Sequence, residues 1–132
     1  MDYKKLFIFI LILAFLLFQV KSFKKFKVCI CTIGKKENLY IREFVDYYKN
    51  LGINKIFLYD NNEKNDEKFE TVIKDYIDIG LVKIIDIRGK VAPQVQAIED
   101  CRKKNYLKFD WLMFFDIDEF IFLRNYSSIF KK

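Results

Sequence analysis

From Lys27 onward the chain alternates between two hydrophobic periods, and that alternation constrains its fold more than any other feature. Lys27–Ile33 ("KVCICTI") is a β-rich apolar run and reads as a first strand. Asn38–Leu51 then places Ile41, Phe44, Val45, Tyr48 and Leu51 at helical spacing and closes on Gly52. Lys55–Tyr59 ("KIFLY") is a second strand that stops at the turn sequence Asp60-Asn61-Asn62. Asp66–Ile79 predicts a second helix, with Phe69, Val72, Ile73, Tyr76 and Ile77 on one face and Gly80 after it. Val82–Ile87 is a third strand. Pro93, the only proline, suits the first turn of a helix running to about Tyr106, and Trp111–Phe115 is a fourth strand. Strands separated by helices of this length imply an α/β fold with a mainly parallel sheet and right-handed crossovers. Strands 2 and 4 are near-continuous apolar runs, as expected where both sheet faces are covered. Such sheets bind ligands beyond the carboxyl ends of their strands. The polar residues there are Thr32, Asp60, Arg88 and Asp116.

The segment before the alternation has a different character. Leu6–Val20 is apolar except for Gln19, with Lys4 and Lys5 before it and Lys21, Lys24 and Lys25 after it. As a helix it would span roughly 22 Å at about 1.5 Å per residue, short of a hydrocarbon core about 30 Å thick. Flanking lysines and aromatics would make up the difference. A cleaved signal peptide is the rival, with Val20-Lys21-Ser22 as its cleavage site. Either reading sends the body into the secretory pathway. The expected division is a membrane segment over residues 1–23 and one domain over 24–132. The formal charge of +6 belongs largely to this N-terminus, and the body is close to neutral. That argues against a nucleic-acid surface, which needs a basic patch on the folded domain.

Cys29 and Cys31 share one face of the first strand, a spacing that makes a poor disulfide. With Cys101 distant and no histidine in the chain, a zinc site is not expected, and the three cysteines read as small buried hydrophobes. The sequon Asn125-Tyr126-Ser127 is compatible with a lumenal body or with chance.

The stretch that carries chemistry is "WLMFFDIDEF", Trp111–Phe120, where a greasy strand ends on Asp116, Asp118 and Glu119. In extended chain Asp116 and Asp118 would project to one side, where like charges repel. A divalent cation removes that conflict, and carboxylate oxygens suit hard ions such as Mg²⁺ or Mn²⁺. Few protein ligands suffice when substrate phosphates complete the shell. A solvated acidic turn is the alternative on spacing alone.

The motif string resembles glycosyltransferase family 92, formerly a domain of unknown function. "DIDEF" is similar to the metal-binding DxD motif of that family and of GT-A glycosyltransferases generally. Lys36-Glu37, Tyr40-Ile41 and Glu43-Phe44 resemble its first helix, and "LGINKIFLYDNN" (Leu51–Asn62) its second strand. Gln94, Ala97, Asp100 and Cys101 match its Gln-x-x-Ala-x-x-Asp-Cys helix, so the likeness covers about residues 27–123. The resemblance implies a partial GT-A fold, three-layer α/β/α. It implies that Asp116 and Asp118 carry Mn²⁺, or Mg²⁺, on the diphosphate of a UDP-sugar donor, with a glycan hydroxyl as acceptor. Asp60 would contact the uridine. Thr32, Glu37 and the loop after the first strand would close the nucleotide pocket, and Gln94 would line the donor side. A Golgi membrane protein with a lumenal body would be the setting. Without the family, Asp60 is a turn former, Glu37 complements a helix dipole, and Gln94 and Arg88 are solvated.

This chain departs from the family pattern where Tyr48 replaces a common helix histidine. It also stops soon after the acids, before the acceptor half of a GT-A sheet. The expectation is therefore the nucleotide-binding half of the domain, with apolar surface of strands 1 and 4 left exposed. Three readings stand: a glycosyltransferase, complete or truncated; a non-catalytic anchored nucleotide- and metal-binding module; and a phosphohydrolase using the first Asp of the DxD. The last usually carries its DxD after the first strand, and here it follows the fourth.

Overall fold

The computed structural model describes residues 3, 7, 9, 10 and 26–124. The membrane segment expected over Leu6–Val20 falls almost wholly outside these residues. The Val20-Lys21-Ser22 cleavage site, the 23/24 boundary and the Asn125 sequon lie outside them too. No helix among the described residues is long and apolar enough to cross a membrane.

Four strands form one parallel sheet: β1 (Val28–Gly34), β2 (Lys55–Asp60), β3 (Val82–Asp86) and β4 (Trp111–Phe114), in the order β3-β2-β1-β4. Three helices connect them: α1 (Ile41–Leu51), α2 (Glu70–Asp78) and α3 (Pro93–Asn105). Every strand and helix expected after Lys27 is present. The first two helices start late for local reasons. The Glu37 carbonyl accepts from the Tyr40 and Ile41 N–H groups at 3.0 and 2.9 Å, so residues 38–40 form a turn that leads into α1. Before α2, the Asp66 N–H bonds the Glu63 carbonyl at 3.1 Å, and the helix waits for Phe69, which is fully buried at its cap.

Strand alternation sorts the core into two layers. Val28 and Ile30 of β1 and Ile56 and Leu58 of β2 pack under α1 and α2, against Phe44, Val45, Tyr48, Phe69 and Ile73. Burying each side chain of this size contributes about 1.5–3 kcal/mol. On the opposite face Cys29, Cys31, Phe57 and Tyr59 meet Ala97 and Cys101 of α3. The result is a three-layer α/β/α arrangement.

Two expectations are corrected here. Cys31 and Cys101 form a disulfide across 70 residues of sequence, and only Cys29 remains a buried free thiol. Residue spacing offered no sign of this pairing, because the β1-to-α3 contact exists only once the sheet is assembled. Second, β1 is a central strand and is almost wholly buried, so it exposes no apolar face. The exposure expected of strands 1 and 4 is confined to the β4 edge, where Trp111 is 60% and Phe114 39% exposed.

Candidate functional site

The carboxyl ends of all four strands reach one rim, and two adjoining cavities open there. The smaller, about 230 Å³, lies between β1, β4 and α3, and Tyr59, Ala97, Phe115 and Glu119 help to line it. The larger, about 540 Å³, is bounded by Gly34, Lys35, Glu37, Asn61 and Pro93. Ile33, Gln94 and Asp116 belong to both walls. Two residues other than glycine have positive φ among the described residues, Lys36 (60°) and Ala92 (47°), and both are in rim loops. Strained backbone of this kind persists where the surroundings over-determine it, and it clusters at binding sites.

The acidic stretch is a turn, not an extended chain. The Glu119 N–H donates to the Asp116 carbonyl at 3.0 Å, and the Asp116 N–H donates back to Glu119 Oε2 at 3.1 Å. The same-side projection expected for Asp116 and Asp118 therefore does not follow from strand alternation. What fixes the turn is the residue between them. Ile117 is 3% exposed and packs into the α1/α2 core. Gly34 makes room for it: a Cβ at Gly34 would stand 2.6 Å from Ile117 Cδ1 and 2.7 Å from Phe69 Cζ. The apolar middle residue pins the turn, and both flanking carboxylates remain on the surface.

Tyr48 holds the far side of the turn. Its hydroxyl donates to the Glu119 carbonyl at 2.9 Å and accepts from the Ile121 N–H at 3.3 Å. Its ring stacks on Phe115 and Phe120, with centroids 5.7 and 6.3 Å away. The neighbouring Tyr47 hydroxyl donates to the Ile121 carbonyl. The position that departs from the family pattern is thus a structural support for the acids. Sequence periodicity marked Tyr48 as core but gave no signal for its hydroxyl, whose partner lies 71 residues away.

Asp60 is fully buried. Its Oδ2 accepts from Arg88 Nε at 3.0 Å and from Arg88 Nη2, and its Oδ1 accepts from the Asn62 N–H at 2.8 Å. Asn62 Oδ1 in turn accepts from the Lys36 N–H at 2.7 Å. This chain of bonds ties together the loops after β1, β2 and β3. Arg88 is neither solvated nor free for a phosphate: its side chain is 15% exposed, and the hydrogen bond to Asp60 holds its guanidinium above its usual pKa. Thr32, near the end of β1 between Cys31 and Ile33, helps to line the smaller cavity. It is 3% exposed, and its hydroxyl has no hydrogen-bond partner.

The expected site residues therefore divide. Gln94 and Asp116 meet at both cavities, Thr32 lines the smaller and Glu37 the larger. Asp118 is exposed and lines neither cavity. Asp60 is sequestered by Arg88. Among the described residues no three His, Cys, Asp or Glu side chains are grouped to hold a metal ion. The donors available at the turn are the carboxylates of Asp116 and Asp118, neither in an ion pair among the described residues. Such an oxygen-only pair is compatible with a hard divalent ion whose other positions are filled by water and phosphate, and it is not a closed protein cage.

A family model described as glycosyltransferase family 92 matches residues 24–132. A glycosyltransferase family 92 protein of Ricinus communis is 32% identical over 104 residues, which is 76% of this chain and 18% of that protein. The galactan beta-1,4-galactosyltransferase GALS2 of Arabidopsis thaliana is 35% identical over 97 residues, 67% of this chain and 18% of that protein. A second Arabidopsis thaliana protein, named only for family 92, is 27% identical over 114 residues, 83% of this chain and 19% of its own length. The chain thus spans about a fifth of the length of the curated relatives it matches. No solved structure matches it.

Proposed function

This chain belongs to glycosyltransferase family 92, and from that premise we propose that its sheet rim is the nucleotide-sugar half of a GT-A-type site. The reaction served is transfer of a sugar from a nucleotide-sugar donor, a UDP-sugar, to a glycan hydroxyl. The single observation that carries this is the meeting of Gln94 and Asp116 at both rim cavities, beyond the carboxyl ends of parallel strands. The family resemblance predicts donor contacts at those same two residues.

Asp116 and Asp118 would hold Mn²⁺, or Mg²⁺, which when bound offsets the charge of the departing diphosphate. The chain's own contribution is positional. Ile117 and Tyr48 hold the acidic turn, the Arg88–Asp60–Asn62 chain holds the loops around the larger cavity, and Lys35 and Glu37 help to line that cavity. The setting we propose is the secretory pathway, with the apolar N-terminal run as a single-pass anchor in the Golgi membrane. Binding without transfer is the second reading, and the place of Asp118 outside both cavities favours it.

Calorimetric titration of the full chain with UDP, with and without Mn²⁺, tests the proposal. We expect Mn²⁺-dependent binding that weakens at least tenfold in Asp116→Ala/Asp118→Ala. Binding that ignores both the metal and the substitutions would refute it. Incubation with UDP-sugars and a galactan acceptor then separates transfer from binding alone.

A further inference from the structure

The helix that walls both cavities buries little apolar bulk. α1 buries Ile41, Phe44, Val45 and Tyr48, whereas α3 buries only Ala97, Cys101 and Asn105. Its larger apolar residues face solvent, Val95 at 59% and Ile98 at 42% exposure. Its first turn has no side-chain cap and follows Ala92, which is in the left-handed conformation. Yet Pro93, Gln94, Ala97 and Ile98 of this helix line the rim cavities. Apolar burial alone does not account for its fixed position.

Two adjacent residues supply what burial does not. Cys101 is joined to Cys31 of β1, and the Tyr59 hydroxyl of β2 donates to Asp100 Oδ2 at 2.8 Å. Both ties run from the middle of α3 to the neighbouring central strands, and Cys31 and Tyr59 also line the smaller cavity. Asn105, the third buried residue, turns its amide back to the Cys101 carbonyl at 2.9 Å and so stiffens the helix without linking it to the sheet. Cys29, the free thiol on the same face of β1, is held protonated by burial, which keeps it from exchanging into the bridge.

We propose that Asp100-Cys101 is the anchor that positions α3 as the wall of the rim site, so that ligand occupancy of the rim depends on an intact Cys31–Cys101 disulfide. The consequence for occupancy rests on the function proposed above, and the anchoring does not. These are positioning residues, acting through the placement of Gln94 and Ala97.

The test uses the full chain, oxidised and reduced. A phosphine delivers two electrons and, with water, converts the disulfide into two thiols while it becomes its oxide. Alkylation followed by mass measurement confirms the state. Hydrogen exchange is then followed at the amides of α3 and α1. We expect α3 amides to exchange at least tenfold faster after reduction with α1 amides unchanged, and Tyr59→Phe to produce a smaller, α3-confined acceleration in the oxidised chain. Mn²⁺-dependent UDP affinity should fall at least fivefold on reduction. Unchanged α3 exchange, or equal acceleration of α1 and α3, would overturn the anchor. If the oxidised chain binds no UDP, the function proposed above fails, and α3 exchange still decides this inference. The Cys31→Val/Cys101→Ala variant, which keeps the site apolar, should reproduce the reduced pattern.

Discussion

A carboxylate without solvent contact must find its counter-charge inside the protein, and Asp60 finds Arg88. Breaking such a pair leaves an uncompensated buried charge, which costs about 3–5 kcal/mol. Arg88→Ala should therefore lower unfolding free energy by about 3 kcal/mol in urea titration, far more than an exposed arginine is worth. Tyr48→Phe keeps the ring stacking and loses only the hydroxyl that serves Glu119 and Ile121. Its cost should be about 1–2 kcal/mol, with the acidic turn loosened more than the core. Cys29, whose thiol burial pushes up to about 12, should resist alkylation at pH 8 in the folded chain and react once the chain is unfolded. At this scale the sequence was half legible. A strand-end acid at Asp60 was readable, because strand ends are visible in the pattern. Its partner was not, because Arg88 comes from a loop 28 residues away and nothing local marks the pairing.

The elements were readable where packing and period agree. α1 follows its apolar stripe residue by residue, since its large side chains have one face to bury. The acidic stretch stayed open between extended chain and turn, because the i, i+2 spacing of its acids carries no information about the turn that Glu119 closes. Gly34→Ala should displace Ile117 and with it this turn, so metal-dependent ligand affinity should fall more than stability does. For α3, closing a loop of 70 residues implies that the disulfide is worth about 4 kcal/mol in the chain-entropy picture. Its second tie has a calculable pH sign. Burial pushes the Asp100 carboxyl up, but hydrogen bonds from Lys104 and Tyr59 outweigh it and leave the group below its usual value. A carboxyl depressed by folding contributes stability above about pH 4 and loses it as pH falls through the depressed value. Tyr59 is shifted the other way, raised by burial and then by Asp100. Its contribution is present below about pH 10 and is lost only as pH rises through the raised value. Exchange at α3 amides, corrected for intrinsic rate, should therefore be flat through neutral pH and accelerate below about pH 4.

For the whole molecule, alternation of period predicted an α/β chain with a parallel sheet but could not predict the strand order. Periodicity assigns faces, not neighbours. The order β3-β2-β1-β4 places β1 at the centre and brings Gly34, Asn61 and Asp116 to one rim. It also makes β4 an edge, and its apolar run, read as doubly covered, leaves Trp111 largely exposed. The proposed function of the molecule turns on whether that rim holds a metal-bound nucleotide. Paramagnetic broadening by Mn²⁺ in the presence of UDP, read from amide spectra of the full chain, reports where the ion sits. The rim site predicts early broadening at Asp116–Glu119, then at Gln94 and Gly34–Glu37, and its loss in Asp116→Ala/Asp118→Ala. Broadening centred instead on Glu63 and Asp66, unaffected by that double substitution, would contradict it.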